Sequence, residues 1–451
     1  MDEPGTGATG AHPPVATTKR SSARSIWGWA LYDFANSSFT TLVVTFIYAA
    51  YFVRGIAPTE TIGTAQWSTA ILITAIVVSL VAPVLGAIAD RGGYRKRLLF
   101  LATISAIIAT AILFFPREGQ VVFALAVFIV ANISFETANV FYNAYLPDIA
   151  AGSRIGRISG FGWALGYVGG LICLALALIG FVQPDAPWFG LSTEGGENIR
   201  ATNLLVAVWF AAFAIPMFAW VRDPDSKPVG DIGRVVTGAF RQLGSTFTDL
   251  KRYRQVFRML VARLVYNDGL VTIFAFGGIY AVGTFDFSFD EVILFGIALN
   301  VSAGLGALVF GFVDDRIGGR NTILISLIGL VLATALAVMA QTKSALWIAG
   351  VLLGLLVGPN QSASRSLIGR FIPEDKENEF FGFFAFSGKA TSFLGPLLLG
   401  QLTLAFDSQR YGVAVIAVFF VLGGLLLLRV DEADGIRSSG RATTDPIQPR
   451  A

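Results

Sequence analysis

The sequence predicts an all-α membrane protein of twelve transmembrane helices in two pseudo-symmetric six-helix bundles, and composition, apolar runs and an internal repeat carry that prediction. Hydrophobic residues make up 54% of the 451 and charged ones 14%, with 38 Phe against 33 Lys plus Arg, more apolar surface than a water-soluble chain of this length can bury. Twelve apolar stretches are readable, centred on 35–53, 67–89, 98–115, 121–146, 158–182, 202–221, 259–282, 291–313, 321–341, 345–368, 380–405 and 411–429. Most approach the ~20 residues that a spanning helix needs. One short pattern occurs twice, 225 residues apart: Gly86-x-x-x-Asp90-Arg91 followed by Arg95 and Lys96, and Gly311-x-x-x-Asp315-Arg316 with Arg320 in the place of Arg95. Each copy stands between two apolar runs, so the halves read as two versions of one unit.

Residues 1–24 are rich in Gly, Ala, Thr, Pro and Ser without an apolar core, which predicts a disordered tail and not a cleavable signal. The N-terminal six-helix bundle is expected over 25–221. Its first run carries Trp29, Tyr32, Asp33 and Asn36. In its fourth run Asn132, Glu136, Asn139 and Asn143 fall on one helical face, as a wet central cavity or a structural hydrogen-bond seam would require. Glu136 there suits a proton-binding site or an ion-pair switch. Gly162, Gly166 and Gly170 in the fifth run form a row of small residues for close helix packing.

The longest polar segment, 222–258, carries eight basic residues and joins the halves. Within it Val236, Phe240, Leu243, Phe247 and Leu250 recur at helical spacing, which predicts an amphipathic helix on the membrane surface, or a simple tether. The C-terminal bundle is expected over 259–430, and 431–451 as a second disordered tail. Its seventh run holds Arg263, Asn267 and Asp268, its tenth ends in Gln361 and Arg365, and Lys389 falls within the eleventh.

Charged groups at a helix centre cost roughly 2.5–3.5 kcal/mol each on insertion, so Asp33, Glu136, Arg263, Asp268, Arg365 and Lys389 need partners or a cavity. Three are acidic and three basic, which permits pairing across the bundle. Each serves either as a structural salt bridge or as a contact to the solute or coupling ion, and both roles stay open at this point.

With the N-terminus placed in the cytoplasm, 25 of the 33 Lys and Arg fall on that side against five on the other, so both termini are expected there. The single cysteine, Cys173, excludes an internal disulfide or a cysteine-rich metal site. The single histidine, His12, lies in the tail, so coupling through imidazole is excluded. No phosphate-cradling Gly-x-x-x-x-Gly-Lys-Ser/Thr loop is present, which disfavours ATP-driven pumping and, with the missing intramembrane histidine, most enzyme chemistry. No metal, cofactor or nucleic-acid partner is expected; the expected partners are a small solute, protons and membrane lipid, and the expected state is a monomer.

The doubled Gly-x-x-x-Asp-Arg loop, in a twelve-span chain with a basic central segment, resembles the major facilitator superfamily. The first copy carries Tyr94 as an extra residue before Arg95-Lys96. By that resemblance Gly86, Asp90, Arg91, Arg95, Lys96, Gly311, Asp315, Arg316 and Arg320 gate alternate access without touching substrate. Trp29-Ala-Leu-Tyr-Asp-Phe-Ala-Asn-Ser-Ser-Phe39, Tyr142-Asn-Ala-Tyr-Leu-Pro-Asp148 and Ser159-Gly-x-Gly-x-Ala-x-Gly-Tyr167-x-Gly-Gly170 further resemble the autophagy-related vacuole effluxer branch. That resemblance implies a secondary transporter, not an enzyme, in a bacterial inner membrane, with efflux favoured over uptake. Amino acids lead as cargo because a zwitterion suits a site offering Glu136 or Asp268 with Lys389 or Arg263. Sugars, drugs and organic anions are the alternatives, ahead of a non-transporting sensor.

Overall fold

The described residues, 22–150, 152–223, 232–248 and 252–441 of a computed structural model, fold entirely into helices and their connections. Helices α1 Ala23–Ile56, α2 Glu60–Gly92, α3 Arg95–Ile112, α4 Val121–Ile149, α5 Gly152–Val182 and α6 Glu197–Trp220 build the first half. After the linker helix α7 Ile232–Thr248 come α8 Arg254–Phe285, α9 Phe289–Ile317, α10 Gly319–Met339, α11 Lys343–Phe371, α12 Glu377–Lys389, α13 Leu394–Phe406 and α14 Gln409–Leu427. Ten helical segments are long and apolar enough to cross a membrane alone. Helix α3, which opens on Arg95-Lys96-Arg97, adds the third crossing in chain order, and α12 with α13 together the eleventh, for twelve in all. The chain is thus an integral, multi-pass membrane protein.

Local chemistry sets several boundaries. The Thr59 hydroxyl accepts the Ile62 N–H at the start of α2, Thr342 does the same for Ala345 at α11, and Ser288 with Glu291 forms a reciprocal cap at α9. Helix α1 is not uniformly α: Phe39–Phe46 and Phe52–Ile56 are wound as π-helix. The eleventh apolar run, expected as one span over 380–405, is broken between Lys389 and Leu394. Pro396 is the physical reason, since it has no N–H to donate to the Ser392 carbonyl one turn back.

Each half has its own apolar core. In the first, Tyr142 stacks on Trp29 and Tyr32 with ring centroids 4.9 and 4.7 Å apart, and Phe39, Phe128 and Phe210 fill around them. In the second, Tyr266, Leu330, Leu367, Phe371 and Phe420 are fully buried. The halves meet chiefly along α5 with α9 and along α2 with α12. The glycine row of α5 faces α1, where a Cβ at Gly166 or Gly170 would meet the Ser37 or Thr41 hydroxyl.

Two expectations from the sequence need correction. The linker helix buries Val235, Ala239, Leu243 and Thr246 on the protein, while Phe240 of the expected stripe is 58% exposed; Leu250 lies outside the described residues. Its docking is polar as well as apolar: Gln242 accepts from Arg91 Nε at 3.1 Å and donates to Glu379 at 2.6 Å, so α7 touches both halves. The segment 431–451, expected to be disordered, opens with helix α15, Glu432–Ser439, capped by Asp431. Gln255 donates to Asp434 at 2.7 Å and accepts the Asp431 N–H at 3.0 Å, which seats the helix on α8. The Gln255 hydrogen bond holds the Asp434 carboxyl below the ordinary carboxylate range. The tail expected over 1–24 lies outside the described residues up to position 21.

Candidate functional site

The two repeat loops lie at one end of the bundle, here called the basic end, and each aspartate caps a helix of the opposite half. Asp90, near the end of α2, accepts the backbone N–H of Asn378 at 3.1 Å and of Glu379 at 2.8 Å, and the Asn378 side-chain amide at 2.6 Å. Asp315, near the end of α9, accepts the N–H of Gly156 at 2.8 Å and of Arg157 at 3.3 Å, and pairs with Arg157 Nε at 2.5 Å. A carboxylate at a helix N-terminus satisfies orphan donors and faces the positive end of the dipole. The motif glycines make this approach possible. A Cβ at Gly86 would collide with the Asn378 carbonyl, and one at Gly311 would stand 2.9 Å from Arg157 Cα.

The arginines of the repeat divide the labour. Arg95 pairs with Asp148 at 2.5 Å in its own half and with Glu377 of α12 at 3.0 Å. Lys96 donates to the Val221 carbonyl after α6 at 2.7 Å, as Arg320 donates to the Leu427 and Leu428 carbonyls at the end of α14, at 3.4 and 3.0 Å. With Tyr94 inserted, the helix-closing role therefore falls to Lys96, and Arg95 becomes a cross-half link. Arg91 holds α7, and Arg316 is exposed.

Deeper in, Arg365 of α11 is 3% exposed and donates to Asp33 of α1 at 2.8 Å, to Asn143 of α4 at 3.3 Å, and to the hydroxyl and carbonyl of Ser159 of α5 at 3.0 and 2.6 Å. Its guanidinium lies between the Trp29 and Trp163 rings, 4.7 and 5.4 Å from their centroids. Two helical turns further along α4, about 10 Å, Glu136 meets Lys389 of α12 at 2.7 Å. Tyr167 donates to Gln361 at 2.8 Å near this depth. The polar links between the halves thus run from the basic end to the Glu136 level, and the bundle is closed on that side.

The remaining predicted site residues stay within one half. Tyr32 shares a 2.7 Å hydrogen bond with Thr103, Asn36 donates to Asn139 at 3.0 Å, and Asn132 is buried one turn beyond Glu136. Arg263 donates to the Phe384 carbonyl at 2.9 Å and to Ser387 at 3.0 Å, over the Phe384 ring. Asn267 donates to the Gly388 carbonyl at 2.9 Å. Asp268 accepts from Thr391 at 3.3 Å, and no cation pairs with it among the described residues. Among the six charged groups of the spans, Asp33 pairs with Arg365 and Glu136 with Lys389, whereas Arg263 and Asp268 do not join each other.

Sequence reasoning missed a second charge layer. Arg370 pairs with Asp314 at 2.6 Å and with Glu432 of α15 at 3.4 Å, while Arg441 pairs with Glu377 and donates to the Ile372 carbonyl at 2.6 Å. The available signal was spacing: Asp314 adjoins Asp315, and Arg370 stands five residues after Arg365.

Two six-helix halves joined by reciprocal caps define a transporter of the major facilitator superfamily, and known proteins agree. The family described as vacuole effluxer Atg22 like matches residues 51–440, and the chain belongs to it. An uncharacterized MFS-type transporter of Bacillus subtilis (strain 168), YxiO, is 28% identical over 90% of this chain and 94% of its own length. Autophagy-related protein 22 of Yarrowia lipolytica is 25% identical over 77% of this chain and 72% of that protein. Among solved structures, FucP of E. coli in the outward conformation superposes with a TM-score of 0.70 at 11% identity, covering 91% of this chain and 98% of FucP.

Proposed function

We propose that the chain moves a small zwitterionic solute, with amino acids the leading class, by alternating access between its halves. One observation carries this reading: Glu136 from the first half and Lys389 from the second meet at 2.7 Å near the middle of the bundle. A solute with an ammonium and a carboxylate carries both partners of that pair and exchanges for it, ammonium to Glu136 and carboxylate to Lys389. Exchange keeps both half-buried charges compensated through the cycle, which a neutral solute does not do.

The basic end faces the cytoplasm in this reading, with both termini, in a bacterial plasma membrane. The structure is then the outward-facing form, with its cytoplasmic gates shut. Efflux is the favoured direction, supported by the effluxer family. Proton coupling, in this reading, runs through Glu136. The protein acts as a monomer.

The test is counterflow in proteoliposomes against a panel of labelled amino acids, sugars and organic anions. Saturable exchange of at least one amino acid is expected; exchange confined to sugars or organic anions, or no exchange of any amino acid, sinks the reading.

A further inference from the structure

The eleventh crossing is broken beside the central ion pair, and the break leaves α12 bonded largely to the opposite half. This helix has 13 residues, about 20 Å at 1.5 Å per residue. Asp90 of α2 holds its first turn. Its middle lies against α2 so closely that a Cβ at Gly382 would stand 2.6 Å from the Ala82 carbonyl. Its last residue, Lys389, pairs with Glu136 of α4. From its own half, Arg263 and Asn267 of α8 take the carbonyls of Phe384 and Gly388.

Beyond Lys389 the chain makes turns instead of helix. The Ser392 N–H reaches the Lys389 carbonyl at 3.3 Å and the Leu394 N–H reaches Thr391 at 2.8 Å before α13 begins. The Thr391 hydroxyl donates to the Leu264 carbonyl at 3.1 Å and anchors the turn to α8. The other gate lacks such an interruption: the helix that Asp315 caps, α5, runs as unbroken α-helix from Ile155 to Ala177.

We propose that α12 is a coupling rod with a hinge at residues 390–393, and that Arg263 and Asn267 are positioning residues that set Lys389 against Glu136 without meeting the solute. Parting of Glu136 and Lys389 frees one end of the rod. The rod then tilts about the hinge and draws the Asn378 and Glu379 N–H groups off Asp90. The central site is thereby wired to one gate first. The Asp315 gate, on an unbroken helix, follows only when the whole half moves. This inference rests on the proposed function only for what parts the pair; the rod itself follows from the bonds at its two ends.

Distance measurements between spin labels test it in full-length protein in nanodiscs, with Cys173→Ser and no solute present. Labels at Arg97 and Asp375 span the Asp90 gate, and labels at Arg154 and Ile317 span the Asp315 gate; all four positions are exposed. Glu136→Gln is expected to populate a longer distance in the first pair while the second keeps its wild-type distribution. Asn267→Ala, which leaves Glu136 and Lys389 in place, is expected to shift the first pair the same way. Adding Ser392→Ala and Pro396→Ala to Glu136→Gln, so that the helix can run through, is expected to make both pairs respond together. The inference is overturned if Glu136→Gln widens both gates equally, if Asn267→Ala leaves the first pair unchanged, or if the continuous-helix variant behaves like Glu136→Gln alone. An error about the cargo leaves all of these distances untouched.

Discussion

Asp33 and Arg365 stand 332 residues apart in the chain and 2.8 Å apart in space, and they join the two halves inward of the aspartate caps formed by the repeat. Arg365 is nearly inaccessible, so its charge depends on Asp33 for compensation. Asp33→Asn keeps the shape and removes the charge. Stranding one partner of a buried pair costs on the order of 3–5 kcal/mol, here charged to the closed form alone. The expected outcome is faster modification of a cysteine at Ser362, buried beside Arg365, by an impermeant thiol reagent from the basic end. An unchanged rate would show that Asp33 does not hold the gate.

The two repeat aspartates are expected to differ despite their shared motif. Among the described residues Asp90 bonds only N–H donors of α12, on both oxygens; an Asn there keeps one acceptor and loses the other, so Asp90→Asn should cost the ~1 kcal/mol typical of a lost cap. Asp315 also pairs with Arg157 at 2.5 Å and lies 3.7 Å from Arg370, so Asp315→Asn removes a charge that two arginines share. Thiol access from the basic end should rise more in Asp315→Asn than in Asp90→Asn; equal effects would refute the asymmetry.

Helix α15 is expected to brace the closed form. Glu432 accepts the N–H groups of Gly319 and Arg320 at 3.0 and 2.9 Å and pairs with Arg370, while Arg441 pairs with Glu377. A chain ending after Val430 should fold, because both apolar cores stay intact, yet open more readily at the basic end. Docking of α15 should also weaken in acid. The Asp434 carboxyl is held below its ordinary value of 3.8 when docked, so the docked form binds protons less readily than the free one. Its contribution is present above that value and is lost as pH falls below it, which proteolysis near Gly440 at graded pH would follow.

Much of the fold was legible in the sequence because a bilayer imposes length and apolarity on every crossing. The two Gly-x-x-x-Asp-Arg loops located the aspartate caps between the halves, and the spacing of Asn132, Glu136, Asn139 and Asn143 located a polar face in α4. What the sequence did not disclose were choices among partners. Lys389 had three carboxylates within its reach on paper, and only packing of α12 against the opposite half selects Glu136. Likewise nothing in the sequence disclosed that the Arg263 guanidinium donates to the Phe384 carbonyl of α12. The break in the eleventh crossing had a signal, Pro396 after Thr391-Ser392, but the apolar run around it concealed the interruption.

The most direct measurement is the concentration dependence of amino-acid counterflow for the wild type, Glu136→Gln and Lys389→Ala in proteoliposomes. A hydrogen bond to a charged group contributes about 1.5–3 kcal/mol, so each variant should raise KM by roughly ten- to a hundredfold for the exchanged amino acid. The solute's carboxylate ester should lose affinity for the wild type and not for Lys389→Ala. Wild-type KM in both variants, or equal discrimination against the ester with and without Lys389, would contradict a solute held between Glu136 and Lys389.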